Sequence, residues 1–207
     1  MPLMQGFTRD DVNIIEQKTL YKGFFKMVEY TFKHRLFDGG WSDLVRRELF
    51  ERGHAVAVLP YDPLTQEFVL VEQFRFGAME SAGSPWLIEI IAGMIDAGEA
   101  PEEVCVREAQ EEAGIELSHL RKVHSYLSSP GGTSESLDIF VAKVDATTAH
   151  GVHGLPHESE DILVHRVHQK DAREYLANGK INNAAAIIAL QWFFLHQDQL
   201  LKEWQLV

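Results

Sequence analysis

One thirteen-residue stretch limits what this chain can become. Pro101 can occupy the first turn of a helix, where a missing N–H costs nothing, and Gly114 can end that helix in a left-handed conformation. The interval predicts a helix from about Pro101 to Ala113. At about 100° per residue, Glu108, Glu111 and Glu112 fall within an arc of about 100°, while Cys105, Ala109 and Ala113 form an apolar stripe on the other side. One face is suited to packing and the other collects like charge. Carboxylates four residues apart repel by a few tenths of a kcal/mol, and within the helix only Arg107 opposes them. An acidic helix face is ordinarily just solvated. A bound cation would also relieve the repulsion, and a ligand set made only of oxygens suits Mg²⁺ or Mn²⁺, not zinc.

The segments around this helix predict strands. Thr19 to Phe25, Val28 to Phe32 and Ala55 to Leu59 are rich in β-branched and aromatic residues, with a break at Asp38-Gly39-Gly40. Tyr61-Asp62-Pro63 reads as a turn, so residues 55 to 60 and 67 to 73 are expected to form a hairpin, and Trp86 to Ala92 to continue the sheet. Beyond the helix, Val123 to Ser128 and Leu137 to Val144 suggest further strands. Asp171 to Asn178 and Asn183 to Trp204 have helical periodicity. The mixture indicates an α+β fold. Ala146 to Asp161, rich in Gly, His and acidic residues, is long for a connection and suggests a functional loop.

Charge and cysteine content narrow the setting. Nineteen basic against thirty-one acidic side chains leave a formal charge of −12, which disfavours nucleic acid and anionic lipid surfaces as partners. Cys105 is the single cysteine and can form no internal disulfide, and Met1 to Asp11 has no basic region followed by an apolar stretch. The longest apolar run, Ala184 to Leu190, is too short to span a bilayer. A cytoplasmic protein without a membrane span is expected.

Gly93, Glu99, Arg107, Glu108, Glu111, Glu112 and Gly114, with Ala109 and Ile115 at two apolar positions, fill every defined position of the Nudix box. On these residues the chain resembles the Nudix hydrolases. That resemblance implies a mixed sheet sandwiched between helices, with an N-terminal antiparallel β-sheet layer. It also implies hydrolysis of a diphosphate linkage with Mg²⁺, or Mn²⁺, as cofactor. The Ala92 carbonyl, Glu108, Glu111, Glu112 and Glu160 are then the expected metal ligands, and Arg107 with Glu99 the ion pair that holds the loop.

Substrate choice is set outside the box. Pro130 lies sixteen residues beyond Gly114 within Ser129-Pro130-Gly131-Gly132. From about Asp11 to Trp204 the chain is similar to the bacterial ADP-ribose pyrophosphatases, through Leu20 to Phe25, Val45 to Ala55 and Glu72 to Phe76. By this resemblance Phe24 and Phe25 stack on adenine from a partner subunit. Arg47, Glu48, Arg52, Arg75, Met94, Ser129, Pro130, Gly131 and Glu135 contact the ligand, and Glu158 is the general base. Aromatic faces suit a base and arginine forks suit phosphate oxygens, although Phe24 and Phe25 in a strand are usually core. His153 and His157 read as bystanders, since magnesium chemistry does not call for imidazole.

The resemblance implies a homodimer that exchanges an N-terminal β domain, residues 1–50, ahead of a catalytic domain at residues 51–207. Two alternatives stay open: hydrolysis of another nucleoside diphosphate sugar, and a catalytically inactive ADP-ribose sensor on the same fold.

Overall fold

The computed structural model describes residues 6–205, so the extreme ends of the two expected spans, residues 1–5 and 206–207, lie outside the described residues. The chain divides into two compact units. The first runs to His54 and also takes Leu127–Ser136, and the second comprises Ala55–Tyr126 and the chain from Leu137 onward.

The second unit is built on alternation. Strand β4 (Ala55–Asp62) is buried along its whole length, which requires cover on both faces. Its residues Ala57, Leu59 and Tyr61 share one core with Phe68 and Leu70 of β5 (Glu67–Phe74) and Ile139 and Val141 of β9 (Ser136–Lys143). The intervening Val56, Val58, Val69, Val71, Phe140 and Ala142 form a second core on the opposite face. Helix α1 (Pro101–Ala113) covers that second core with Val104, Cys105, Ala109 and Ala113. Helix α3 (Ala184–Glu203) covers the first with Ala186, Ala189, Leu190 and Phe193, helped by Ala172 of α2 (Gln169–Ala177). The expected mixed sheet between helices is therefore present.

Among the described residues this sheet has eight strands. Six follow the order β10-β11-β5-β4-β9-β8, with β8 at Ser118–Leu127, β10 at Val152–His153 and β11 at Ile162–His168. β4 and β9 run parallel, pairing from Ala55↔Leu137 to Tyr61↔Lys143. The hairpin of β4 and β5 differs from expectation. The two strands pair only near their turn, at Tyr61↔Phe68 and Asp62↔Glu67, and then diverge. Trp86 to Ala92 is accordingly not one strand but part of two. β6 (Trp86–Glu89) pairs with β5, and β7 (Ile91–Met94) pairs with β4. This divergence sets Ala92 and Gly93 against α1.

The first unit holds a three-stranded antiparallel sheet of β1 (Val12–Lys22), β2 (Lys26–His34) and β3 (Val45–Glu51). β1 starts earlier than Thr19 and stops before Phe24, because Gly23 to Phe25 bend, the Gly23 N–H donating to the Phe25 carbonyl at 2.9 Å. Gly39 and Gly40, at φ +91° and +80°, form the break between β2 and β3 in a conformation other side chains rarely adopt. Leu127–Ser136 joins this unit through bonds to Phe50. The Phe50 N–H donates to the Gly132 carbonyl, and Thr133 Oγ1 donates to the Phe50 carbonyl, each at 2.8 Å. No helix among the described residues is long and apolar enough to cross a membrane.

Phe193 is fully buried, its ring centroid 4.4 Å from that of Tyr61 and 4.9 Å from that of Phe68. Replacing it with Ala removes the centre of the α3 core and is expected to destabilise the protein by about 3–5 kcal/mol, measured by urea unfolding.

Candidate active site

α1 begins at Pro101, and the Glu103 carboxylate accepts from the Ala100 N–H at 3.2 Å, satisfying one of the donors exposed at a helix start. It ends at Gly114, whose φ of +63° closes the last turn, with the Ile115 N–H donating back to the Ala109 carbonyl at 3.2 Å. These two ends set the length of the helix and the packing of its apolar stripe sets its rotation, so that Glu112 turns into the sheet and Glu108 lies beside it.

Glu112 is 2% exposed. Its carboxylate accepts from the Ala92 N–H at 3.1 Å and from Gln73 Nε2 at 3.4 Å. Burial outweighs these bonds and pushes its pKa up to about 8. Glu108 lies against β7 where Gly93 has no side chain: a Cβ added there would come within 1.8 Å of Glu108 Oε1. Burial likewise raises Glu108 to about 7, although the neighbouring Arg107 opposes the shift. The Glu108 charge raises Glu112 further, the Glu111 charge raises Glu108, and Glu160 adds to both.

Arg107 organises the outer part of the cluster. Its Nη1 donates to Glu108 Oε1 at 2.8 Å and to Glu111 Oε2 at 3.0 Å. Its Nε and Nη2 donate to the two oxygens of Glu99 at 3.3 and 3.4 Å. The Asp96 N–H and Arg107 together hold the Glu99 carboxyl below its ordinary value. The ion pair of Arg107 with Glu99 is thus formed, and the same guanidinium also binds two of the expected metal ligands. Among the described residues, no three carboxylate, imidazole or thiolate side chains converge in metal-ligand geometry. The donor set nevertheless fits a divalent cation, being made of carboxylate oxygens whose charged forms are penalised by burial and by one another. Cys105, on the packed side of the helix, is raised to about 12 by burial and is no candidate nucleophile.

The expected loop is more ordered than its composition suggests, with β10 and two short turns of 3₁₀ helix at Ala146–Thr148 and Pro156–Glu158. Glu160 Oε2 accepts from the Leu155 N–H at 3.0 Å. Ser159 adopts a left-handed conformation, φ +59° and ψ 34°, between the two glutamates. Glu158 is exposed, with His157 Nε2 3.7 Å from its Oε1.

Of the expected substrate contacts, Arg75 and Met94 belong to the second unit. Arg75 pairs with Glu89, its Nε and Nη2 both 2.9 Å from Glu89 Oε2, and Met94 ends β7 opposite Ala55. The others lie in the first unit, where several come together. Phe24 is 88% exposed and packs edge-on to Phe25, which meets Phe50. The Arg52 guanidinium lies 5.4 Å from the centre of the Phe25 ring and pairs through Nε with the buried Glu135 at 3.2 Å. Ser129 accepts from the Gly132 and Thr133 N–H groups at 3.0 and 2.9 Å, closing the turn around Pro130 and Gly131. Arg47 and Glu48 are exposed on β3, apart from these ion pairs.

Sequence reasoning missed Gln73 and Glu89. Gln73 could have been found from alternation, since it shares the β5 face of Val69 and Val71, a buried place for a polar side chain. Glu89 carried no comparable signal.

Known proteins bear on this geometry. The NUDIX domain model matches residues 51–193. The chain is 53% identical over 198 residues to an ADP-ribose pyrophosphatase of Escherichia coli (strain K12), covering 96% of this chain and 95% of that one. It is 46% identical over 208 residues to an ADP-ribose pyrophosphatase of Haemophilus influenzae, covering 99% and 96%. A solved structure described as an ADP compounds hydrolase superposes with a TM-score of 0.69 at 20% identity, over 95% of this chain and 97% of that one, which supports the fold. With a family model spanning most of the chain and Glu108 and Glu112 of the box set against β7, the chain belongs to the Nudix family.

Proposed function

We propose that this chain is a hydrolase that cleaves the diphosphate of ADP-ribose to AMP and ribose 5-phosphate, using Mg²⁺ or Mn²⁺. The reaction is carried by one observation: Glu112 is buried against the Ala92 N–H with Glu108 beside it in the space left by Gly93. The choice of substrate is supported by the near full-length similarity to ADP-ribose pyrophosphatases.

Water adds to one phosphorus, the bridging P–O bond breaks, and the departing phosphate keeps the bridging oxygen. A divalent cation, when bound, neutralises the diphosphate and polarises the P–O bonds. The Ala92 carbonyl, Glu108, Glu111, Glu112 and Glu160 would hold it, with Arg107 steering Glu108 and Glu111. Glu158 takes the proton from water, and its exposed position suits a group that moves towards a bound substrate. Phe24 and Phe25 offer aromatic faces for adenine. Arg47, Glu48, Arg52, Arg75, Met94, Ser129 to Gly131 and Glu135 supply the remaining contacts. The first unit, close to residues 1–50, is assigned to exchange in a homodimer. All of β1 is exposed, including Val12, Ile14, Ile15, Leu20 and Tyr21, which supports a partner on this sheet. We place the enzyme in the cytoplasm on its single thiol, acting on a small molecule, without nucleic acid or membrane.

Glu112→Gln is expected to lower kcat on ADP-ribose at least about a hundredfold with the circular dichroism spectrum unchanged. Wild-type turnover in that variant would refute the assignment, and faster cleavage of GDP-mannose than of ADP-ribose would replace the substrate. Gly93→Ala should displace Glu108 and cut kcat while leaving Tm within a few degrees. Without metal, stability should fall as pH rises from about 4.5 to about 8: unfolded glutamates ionise first, so over that window the unfolded state binds fewer protons. Tm in EDTA, measured from pH 5 to 9, should decline and then level above about 8, and Glu112→Gln should flatten the decline.

A further inference from the structure

The last carbonyls of α1 have no partner within the helix. The Ile115 N–H, which could have bonded to Glu111, turns back to Ala109 instead. The Glu111 carbonyl accepts from outside, from the Gly154 N–H at 3.2 Å. Immediately before Gly154, the His153 ring lies on the bare backbone of Gly114. A Cβ built at Gly114 would meet His153 Cε1 at 2.7 Å, Nδ1 at 3.4 Å and Nε2 at 3.5 Å. The ring is held there by Nε2, 2.9 Å from the His150 carbonyl, and by the pairing of His153 with Ile162. Gly114 therefore does two things: it closes the helix and leaves a hollow for an imidazole.

Leu155, the next residue, holds Glu160 at both ends. Its N–H donates to the Glu160 carboxylate at 3.0 Å, and its carbonyl accepts from the Glu160 and Glu158 N–H groups at 3.4 and 2.9 Å. Gly154 makes the close turn possible, since at φ +101° a Cβ would lie 2.7 Å from Glu160 Cβ. A short path of bonds thus runs from the end of α1 to both loop glutamates.

We propose that His153, seated on Gly114, and Gly154, bonded to Glu111, form a latch that positions Glu158 and Glu160 relative to the glutamates of α1. His153 is a positioning residue, acting through the loop and touching neither substrate nor metal. The inference rests on the roles assigned above to Glu158 and Glu160.

The test compares His153→Ala, His153→Phe, Gly114→Ala, the double variant His153→Ala with Gly114→Ala, and Glu160→Gln. Readouts are kcat and KM on ADP-ribose with saturating Mg²⁺, and amide hydrogen exchange of residues 150–160 without metal. His153→Ala should lower kcat roughly tenfold to a hundredfold with little change in KM, and speed exchange in the loop. His153→Phe, which keeps a ring on Gly114, should recover most of the lost kcat. Gly114→Ala should cost less kcat in the His153→Ala background than alone, because only backbone strain then remains. If His153→Ala does not fold, Gly114→Ala alone must show the same kcat loss and faster exchange. Wild-type kcat in His153→Ala, with or without faster exchange, overturns the latch while impaired Glu160→Gln leaves the loop's role standing. Fully active Glu160→Gln overturns that role and the latch with it.

Discussion

Burying the Glu112 carboxylate at the contact of α1 and β7 is costly, because a charge withdrawn from water loses its hydration. Much of the second unit's geometry compensates for it. The divergence of β4 from β5 lets β7 run beside α1 and aim the Ala92 N–H at that carboxylate. Gln73 reaches it from β5. Gly93 gives up a side chain so that Glu108 can approach the same backbone. What remains is an excess of negative charge in a place poor in water. Burial first, and neighbouring carboxylates second, hold the proton affinities of Glu108 and Glu112 well above the ordinary carboxylate range, and a divalent cation suits such an oxygen-lined place.

Arg107 manages that excess. One guanidinium binds Glu99, Glu108 and Glu111 at once, joining the loop before the helix to the helix's own acidic face. The apolar half of α1 makes the arrangement tolerable. Val104, Cys105, Ala109 and Ala113 are completely buried against the sheet, so the helix is anchored by packing and its charged side need not contribute stability.

The helix was legible because its signals are local: a proline at one end, a glycine at the other, and a charge pattern between them. β4 and β5 were legible as strands for a similar reason, from their β-branched and aromatic residues on either side of a turn, but their burial on both faces was not. The break within residues 86 to 94 was not legible either, because Ile90 is as apolar as Ile88 and Ile91 and nothing nearby reveals that the strand changes partners there. β11 was hidden by His165, Arg166 and His168, polar residues set among Ile162, Val164 and Val167. The carboxylate face of α1 could be read from spacing on one helix. The grouping of Phe25, Arg52 and Glu135 depends on contacts distant in sequence, that of Arg52 with Glu135 across more than eighty residues, which no periodicity encodes and only resemblance suggested.

The return of Leu127–Ser136 to the first unit has a consequence for how the chain is made. Phe50 pairs with Thr133, and His54 Nδ1 lies 2.8 Å from Ser136 Oγ, so the N-terminal sheet is finished by residues synthesised long after it. On the ribosome, β1 to β3 emerge before the second unit yet wait for about half of it to be translated before their last backbone partners arrive. The N-terminal unit is discontinuous, and its completion is tied to a closure of high sequence separation, the slow kind of step in folding.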